Sequence, residues 1–323
     1  MITVIIPCYK SRDHVLDVLK RLDETVTEII VVDDCCPQNT GDFVKASFND
    51  SRLQVIRHEQ NQGVGGAMKS GFRKALEGKG KIFVKLDSDG QMAPEIMSNF
   101  VQPIQSGFAD YCKGNRFYSI ESLKEMPTIR LLGNSALSFF SKLSCGYWNI
   151  MDPTNGYIAV HRKVMENIPI EKLDDRYFFE TSLLFRMNTI NALVQDIPMD
   201  SVYQDEVSNL SITRSIFTFL GKNLQLFFKR IFYNYFLRDF NIASVNLVLG
   251  LITFISGLIY GYTNFISYNQ QNLQTPTGVQ LITVFLLIVG FQWLLSFFSY
   301  DMQKTPSRVV HPMLPDRNGR TGP

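Results

Sequence analysis

The feature that most limits what this chain can fold into is a block without charge near its end. From Phe240 to Tyr300 there is no Asp, Glu, Lys or Arg. Two mostly apolar segments, 242–262 and 279–300, lie inside this block. As helices they would each span roughly 31–33 Å, enough for a hydrocarbon core of about 30 Å. A buried hairpin of a soluble protein is the alternative, but two such segments in succession favour a membrane anchor of two transmembrane helices.

Basic residues flank this block on both sides, whereas the loop between the two segments, 263–278, carries no charge. The flanking residues are Arg214, Lys222, Lys229, Arg230 and Arg238 before the block and Lys304, Arg308, Arg317 and Arg320 after it. Basic flanks stay on the cytoplasmic side of a membrane. We therefore expect both termini, and the part of the chain before the spans, to be cytosolic.

The segment before the anchor is apolar over most of its circumference when drawn as a helix. Its polar stripe is spaced four, three and four residues apart, at Thr218, Lys222, Gln225 and Lys229. Such spacing marks one helix face, and the combination suits a helix lying in the lipid interface. Packing on a globular domain is the alternative. We predict juxtamembrane amphipathic helices at 211–240, the two-helix anchor at 241–300 and a cytosolic tail at 301–323.

In residues 1–210, apolar runs alternate with helical patterns. The runs ITVIIP, EIIVVD, LQVIR, KIFVKLD and ADYCKG are predicted strands, with predicted helices at 13–22, 41–48, 64–76 and 94–105. Farther along, 128–143 and 176–188 are predicted helices, and 156–162 and 192–198 predicted strands. Alternation of this kind predicts an α/β fold with a doubly wound, mostly parallel sheet. We take residues 1–210 as one globular domain.

Composition narrows the class of partner and the compartment. The net charge is only +2, which argues against nucleic acid as a partner. The five cysteines are odd in number and include the adjacent pair Cys35 and Cys36. This pattern fits reduced thiols in the cytosol better than a disulfide framework. The sequence leaves the oligomeric state open, a homo-oligomer included.

Polar residues follow the predicted strands where a sheet of this kind binds its ligands, at the carboxyl ends. The first strand is followed by PCYK, which contains Pro7 and Tyr9, and the second by Asp33 and Asp34. A turn or helix cap is the alternative role for the aspartate pair. The cluster of Gly63, Gly65 and Gly66 predicts a tight turn that lets backbone approach a ligand, and a purely conformational role is equally open.

The fourth predicted strand ends in DSDGQ, with Asp87, Asp89 and Gln91 at alternate positions. In extended chain these three side chains would point to one side. Carboxylate and amide oxygens suit a hard divalent cation, Mg²⁺ or Mn²⁺. The alternative is that Asp-Ser-Asp-Gly is only the turn that ends the strand.

Taken in order, these segments resemble family 2 glycosyltransferases of the GT-A fold, in particular those that act on dolichyl or polyprenyl phosphate. The resemblance rests on VIIPCYK, IIVVDDCCPQNT, NQGVGGAMKSGF, LDSDGQMAPE, GNRF, RLLGN, DPTNGYIAVHR and YQDEVSNLSI, and it runs from residue 2 to about 212. Lys10 and Ser11 stand where the family usually continues Asn-Glu after the tyrosine. The resemblance implies a Rossmann-like GT-A catalytic domain.

The resemblance also implies a donor site. A nucleotide sugar, with UDP or GDP as the nucleotide, would meet Pro7, Tyr9, Asp33, Asp34 and Gly63. Asp89 and Gln91 would bind the metal, and Asp87 would meet the ribose or the nucleotide side of the metal. A divalent cation stabilises the charge that grows on a diphosphate leaving group.

The acceptor side is expected to bind a phosphate. Arg116 and Arg130 lie in matching local motifs, and a planar guanidinium can bind phosphate oxygens with two hydrogen bonds. Asn134 belongs to the same acceptor-side segments. If the acceptor were a hydroxyl, a carboxylate would have to take its proton. Asp152 and Glu180 are the candidates, although Glu180 could instead orient an arginine.

The sequence thus predicts a membrane-anchored, metal-dependent glycosyltransferase. By resemblance it transfers one sugar, with inversion, from a nucleotide sugar to polyprenyl phosphate at the cytosolic face of a membrane. Its expected catalytic residues are Asp89, Asp152, Arg116 and Arg130. Transfer to a lipid or saccharide hydroxyl, and an inactive membrane scaffold that binds nucleotide sugars, are the alternatives.

Overall fold

The computed structural model describes residues 1–118, 128–199 and 212–317. The chain divides into two compact units. The first comprises residues 1–227 together with the end of the chain from Pro306, and the second comprises residues 228–305. Most of the predicted segment YQDEVSNLSI lies outside the described residues.

The first unit is built from strands and helices that alternate along the chain. The strands are β1 (Ile2–Cys8), β2 (Val26–Asp33), β3 (Leu53–Arg57), β4 (Ile82–Lys85), β5 (Tyr111–Asn115), β6 (Ile158–His161) and β7 (Val194–Pro198). The helices are α1 (Arg12–Lys20), α2 (Thr40–Ser47), α3 (Val64–Glu77), α4 (Met97–Gln105), α5 (Thr128–Cys145), α6 (Arg162–Asn167) and α7 (Phe179–Thr189). Short 3₁₀ turns occupy Pro94–Ile96 and Ile170–Lys172.

Within the described residues the sheet has seven strands, in the order β3-β2-β1-β4-β6-β5-β7. Strands β1, β2, β3 and β4 run parallel, and β5 runs parallel to β7. Only β6 among them is reversed, antiparallel to both β4 and β5. The predicted GT-A-like, mostly parallel sheet is therefore confirmed. Because β6 alone is reversed, the carboxyl ends of the other strands meet at one edge, where such sheets bind ligands.

The central strands are buried on both faces, which explains their nearly continuous apolar sequence. In β1, Ile5 packs into the core on one face, whereas Val4 and Ile6 pack into the core on the other. Helix α3 contributes Phe72 to the first core, and α4 contributes Phe100 to the second. Helices on both faces of the sheet thus hold the strand ends in place.

The main local difference from the sequence prediction is at the end of β4. The strand was predicted to reach Asp87 but ends at Lys85. Residues 88–90 form a turn, in which Gly90 has a φ of +80°. Strand alternation therefore does not extend to Asp89 and Gln91, and a turn brings them to the sheet edge instead.

Helix α8 (Ile212–Phe232) follows the second gap in the described residues. Lys222, in its predicted polar stripe, donates to Asp174 at 2.5 Å, and Ser144 donates to Asn223 at 2.6 Å. Lys222 and Asn223 thus contact other parts of the first unit, whereas Thr218, Gln225 and Lys229 of the predicted stripe are exposed. A helix in the lipid interface stays a prediction. Leu220 and Leu224 are exposed on the opposite side of the helix.

The second unit is a helical hairpin of α9 (Ile242–Gln270) and α10 (Thr277–Gln303), preceded by a π-helical turn at Tyr233–Leu237. Within the described residues these are the two helices long and apolar enough to cross a membrane, with mean hydropathy 2.2 and 2.3. The two segments predicted to span fall inside them. Glycines allow close packing, since a Cβ at Gly290 would lie 2.5 Å from the backbone nitrogen of Phe254.

Candidate active site

The acidic turn after β4 is anchored beneath by a serine. Ser88 is buried, and its Oγ donates to the carbonyl of Pro7 at 2.9 Å and lies 2.7 Å from Oγ of Ser11, within hydrogen-bond distance. These bonds tie the turn to the carboxyl end of β1. Asp87 and Asp89, on either side of Ser88, are half-buried. The structure therefore brings the first and fourth strand ends together, as predicted.

The turn offers oxygen ligands for a cation. Oδ1 of Asp89 accepts from the backbone N–H of Gln91 at 2.9 Å, and the side of Gly90 where a Cβ would sit has no atom within 4 Å. In the described ranges no group of three or more His, Cys, Asp or Glu side chains could hold a metal. The carboxylate of Asp89 and the amide oxygen of Gln91 suit Mg²⁺ or Mn²⁺, which take their other ligands from water and substrate phosphates. The residues present thus fit such an ion.

A buried lysine lies beneath this turn, and sequence reasoning missed it. The side chain of Lys85 is 2% exposed, and its Nζ lies 2.7 Å from Oδ1 of Asp87 and 3.6 Å from Oε1 of Glu180. Nζ also donates to the carbonyl of Gly156 at 3.1 Å. Burial lowers the pKa of Lys85, but the charges of Asp87, Glu180 and Asp89 outweigh burial and raise it. Lys85 is therefore a fixed positive charge under the acidic turn.

A second buried lysine, Lys113 on β5, lies next to the loop that contains Gly156 and precedes β6. Its Nζ donates to the carbonyl of Asn155 at 2.5 Å. Burial lowers the pKa of Lys113 to about 8, against the opposing charges of Asp152, Glu180 and Asp196. The two lysines thus hold consecutive carbonyls of the loop that precedes β6. A lysine inside an otherwise apolar strand was the signal in the sequence.

Two residues predicted to act on the acceptor are bound to each other. Nε and Nη2 of Arg116 donate to the two carboxylate oxygens of Asp152 at 2.7 and 3.1 Å. Asp152 is fully buried and also accepts from Asn155 at 3.3 Å. Burial raises the pKa of Asp152, but its bonds and charge interactions with Arg116 and Lys113 lower it overall. Asp152 is thus a buried anion that orients Arg116.

Glu180 lies in the first turn of α7, and its side chain is buried beside Lys85 rather than beside an arginine. Burial raises the pKa of Glu180, and the charges of Lys85 and Lys113 oppose this shift. Arg130 and Asn134 lie on α5, but their side chains are outside the part of the chain that the structure describes. Their predicted contacts stay predictions.

The aspartate pair after β2 binds the protein's own backbone. Asp33 accepts from the N–H groups of Cys36 and Gly41, both at 2.7 Å. Asp34 accepts from the N–H of Gly63 at 2.7 Å and lies 2.7 Å from Nδ1 of His58. The turn and cap role left open in the sequence thus accounts for these bonds. A donor contact for either residue stays a prediction.

The glycine cluster is tightly packed at the start of α3. Gly63 has a φ of +86°, and a Cβ there would lie 2.7 Å from the carbonyl oxygen of Asp175. At Gly65 the Cβ would lie 2.0 Å from the carbonyl oxygen of Asp174. These contacts support the conformational role, since the backbone at the glycines lies too close to the backbone of Asp174 and Asp175 for a side chain to fit.

Two residues predicted to contact the nucleotide sugar lie at the end of β1, and one of them is exposed. Pro7 lies within β1, whereas Tyr9 is 48% exposed. Lys10, at the departure from the family pattern, has a φ of +56° and its N–H donates to the thiol of Cys36 at 3.1 Å. The departure is thus accommodated in a turn that joins the first two strand ends.

The sheet, its single reversed strand and the acidic turn at its carboxyl edge define an α/β protein of the GT-A type. Residues 3–168 match the model of Glycosyl transferase family 2. The chain belongs to that family.

Two curated relatives share most of their length with this chain. One is the UDP-N-acetylglucosamine–dolichyl-phosphate N-acetylglucosaminyltransferase of Methanococcus voltae, 29% identical over 221 residues, or 64% of this chain and 87% of the relative. Another is the polyprenol monophosphomannose synthase of Mycolicibacterium smegmatis, 29% identical over 201 residues, or 61% and 75%.

A solved structure supports the fold. The glucosyl-3-phosphoglycerate synthase of Mycobacterium tuberculosis, in complex with Mn²⁺, UDP-glucose and phosphoglyceric acid, aligns with a TM-score of 0.52. The alignment covers 71% of this chain and 79% of that one at 17% identity. At this identity the likeness concerns the fold alone.

Proposed function

We propose that this protein is a membrane-anchored, metal-dependent glycosyltransferase that transfers one sugar from a nucleotide sugar to a polyprenyl phosphate. The observation that carries the proposal is the acidic turn of Asp87, Asp89 and Gln91, tied by Ser88 to the end of β1. Membership of the family supports sugar transfer, and the names of the two relatives support a lipid phosphate as acceptor.

In the proposed reaction an oxygen of the lipid phosphate attacks the anomeric carbon. The bond from that carbon to the nucleoside diphosphate breaks, and the diphosphate leaves with the electron pair, with inversion at the carbon. Asp89 and Gln91 would hold Mg²⁺ or Mn²⁺, which would stabilise the charge on the leaving diphosphate. Lys85 keeps the turn that carries these ligands in place, through its ion pair with Asp87.

Arg116 would bind and align the acceptor phosphate. Asp152 fixes the plane of its guanidinium through two hydrogen bonds, and a fixed guanidinium matches the geometry of phosphate oxygens. A phosphate near pH 7 is already an anion, so the reaction needs no strong base. This suits Asp152, which is occupied by Arg116 and has a lowered pKa. Arg130 and Asn134 are proposed to contact the same acceptor.

Transfer to a hydroxyl is the second candidate, and Glu180 is the observation that favours it. Burial raises the pKa of its carboxyl, and a general base works best when its pKa lies near the operating pH. Lys85, at 3.6 Å, opposes this shift. A phosphate acceptor remains the better proposal because Arg116 is already oriented, whereas Glu180 is tied to a buried lysine.

The location of the reaction is proposed from charge and apolarity. Helices α9 and α10 would span the membrane, and the uncharged loop between them would lie outside. The basic flanks would keep both termini and residues 1–210 in the cytosol. The exposed Leu220 and Leu224 of α8 would face the lipid interface.

The test is an assay of the purified full chain with Mn²⁺ or Mg²⁺, radiolabelled UDP- and GDP-sugars and polyprenyl phosphate. We expect label in a lipid that mild acid hydrolyses. Label that appears only in an acid-stable glycoside or in polymer would favour the hydroxyl acceptor. No transfer from any donor would contradict both candidates and leave the inactive scaffold.

The metal assignment is tested separately by Asp89→Ala. We expect turnover to fall by about 100-fold or more, because the charge on the leaving group loses its stabilisation. Binding of Mn²⁺ in the presence of UDP, followed by electron paramagnetic resonance, should weaken in parallel. Asp42→Ala is the matched control, since Asp42 is exposed and its ion pair with Arg57 lies at the surface. Equal loss in both variants would contradict the assignment.

A further inference from the structure

One of the two candidate spanning helices carries an unexpected polar stripe. Gln292, Ser296, Ser299 and Gln303 of α10 are spaced four, three and four residues apart, which places them on one helix face. Gln292, Ser299 and Gln303 are exposed, and Ser296 is half-exposed. With Leu295 and Tyr300 these residues line an open groove of about 420 Å³. We call these four residues the glutamine stripe.

The glutamine stripe points away from the other helix of the hairpin. Gly290 packs against Phe254, and Leu294 packs against Gly250, so this side of α10 forms the seam with α9. Gln292 is two residues from each of these seam positions, and two residues correspond to about 200° around a helix. Helix α9 therefore cannot supply a partner for it. Within the described ranges, no residue forms a hydrogen bond with the Gln292 side chain.

The depth of Gln292 makes this stripe costly in a bilayer. It lies eight residues before Tyr300, or about 12 Å from the cytosolic end of the apolar segment. At that depth neither water nor a lipid headgroup is available to its amide, and an amide without partners is disfavoured in hydrocarbon. A lipid phosphate at the interface could reach Ser299 or Gln303, but it could not satisfy Gln292.

The chemistry of the stripe matches a copy of itself. A primary amide is both a donor and an acceptor, so two facing glutamines can exchange a pair of hydrogen bonds. Copies inserted with the same topology place identical residues at identical depth. A twofold axis along the membrane normal then brings like side chains together, and polar side chains are known to hold transmembrane helices together.

We propose that this protein forms a homodimer in the membrane through the glutamine stripe of α10, with the Gln292 amides of the two copies bonded across a twofold axis. The inference rests on the proposed membrane insertion of α9 and α10. It specifies a dimer, where the sequence left the oligomeric state open. It does not depend on the donor, the acceptor or the metal.

The test uses the full chain in lipid vesicles, labelled at its end with a donor or an acceptor fluorophore. We expect energy transfer between copies of the wild type. For Gln292→Leu we expect the dissociation constant of the dimer to rise about 10-fold, which corresponds to the loss of about 1 to 2 kcal/mol per amide contact. Gln280→Leu is the matched control, because the Gln280 amide already donates to the carbonyl of Thr275 at 3.0 Å. It should dimerise like the wild type.

A cross-linking experiment locates the interface. Ser296→Cys should give a dimer with a short bis-maleimide, whereas Ser256→Cys, the same change at an exposed position of α9, should not. Unchanged energy transfer in Gln292→Leu, or cross-linking through position 256 alone, would overturn the proposal. Extraction with alkaline carbonate keeps the two hypotheses apart, because release of the wild type from vesicles would contradict membrane insertion itself.

Discussion

The guanidinium of Arg116 and the carboxylate of Asp152 form a two-point ion pair, with nitrogen to oxygen distances of 2.7 and 3.1 Å. Asp152 is fully buried, whereas the side chain of Arg116 is 28% exposed. The carboxylate thus acts from beneath to orient an arginine whose other side reaches the surface. Lys113 adds a second positive charge near Asp152. The pair gives Arg116 a fixed direction before any substrate binds.

Arg116→Lys should weaken use of the acceptor more than use of the donor. Lysine keeps the charge but loses the planar fork that Asp152 holds. We expect the KM for polyprenyl phosphate to rise about 10-fold, as for the loss of one charged hydrogen bond. Steady-state kinetics with each substrate varied in turn measures this.

Arg21→Lys is the matched control for that variant. Arg21 also forms a two-point pair, with Glu95, but at the surface. It should leave both KM values unchanged. A rise in the KM for the nucleotide sugar alone in Arg116→Lys would place Arg116 on the donor side.

Lys85→Met should destabilise the first unit and loosen the acidic turn. Methionine has a similar length but leaves the carboxylates of Asp87 and Glu180 without the buried charge between them. Removing one partner of a buried pair costs about 3–5 kcal/mol. Denaturant unfolding of the full chain in detergent micelles measures the loss, and binding of Mn²⁺ with UDP should weaken with it.

Two further variants decide whether the charge of Lys85 is responsible. Lys74→Met is the surface control, since Lys74 pairs with Glu77 in an exposed position. It should leave the free energy of unfolding close to that of the wild type, because exposed ion pairs contribute little. Adding Glu180→Gln to Lys85→Met should recover part of the stability. A double variant no more stable than Lys85→Met would contradict the ion-pair explanation.

The sequence predicts the sheet well because its signals are local. The apolar runs of β1 and β2 and the helix after Gly63 each depend on residues close in the chain. Strand β6 was predicted as a strand, but its reversed direction was not, and the short helix α6 that follows it was not predicted. Strand direction depends on long-range pairing, which periodicity does not contain.

The sequence predicted several residues of the candidate site but not which of them pair with one another. Asp152 and Arg116 were both named for the acceptor side, yet their mutual pairing joins positions 36 residues apart. Lys85 and Lys113 were missed, because a lysine in a strand is usually at a solvated position. Their role depends on Glu180 and on the carbonyls of 155–156, which reach them only through tertiary packing.

Gly65→Ala should be destabilising because the added methyl has no space. Its Cβ would lie 2.0 Å from the carbonyl oxygen of Asp174, so the backbone of the neighbouring loop would have to move. We expect a loss of about 1–3 kcal/mol, typical of overpacking. Thermal unfolding of the purified chain measures it.

Gly133→Ala gives the opposite expectation for the same substitution. Gly133 lies within α5, and a Cβ there would meet nothing within 4 Å. Alanine stabilises a helix interior relative to glycine by up to about 1 kcal/mol. If Gly65→Ala were as stable as Gly133→Ala, the close approach at the start of α3 would not be a constraint on the fold.

The stacked pair of His161 and His311 should make the first unit sensitive to acid. Their ring centroids lie 4.0 Å apart, and Nδ1 of His311 lies 2.8 Å from the buried Asp110. Burial, followed by the charge of His311, lowers the pKa of His161 from 6.5 to about 4, against the opposing charge of Asp110. Lys163 and Lys81 lower it further.

Between pH 6.5 and about 4 the unfolded chain binds more protons at position 161 than the folded chain does. The free energy of unfolding therefore falls as the pH falls through this window. We expect His161 to contribute about 1–2 kcal/mol of this loss, after allowance for its partial exposure.

His161→Phe keeps a stacking ring without a titratable nitrogen, so the fall in melting temperature from pH 7 to pH 5 should be smaller than in the wild type by a few degrees. His14→Phe, at an exposed position of α1, should behave like the wild type. An identical pH dependence in His161→Phe and the wild type would show that the stacked pair does not carry the acid sensitivity.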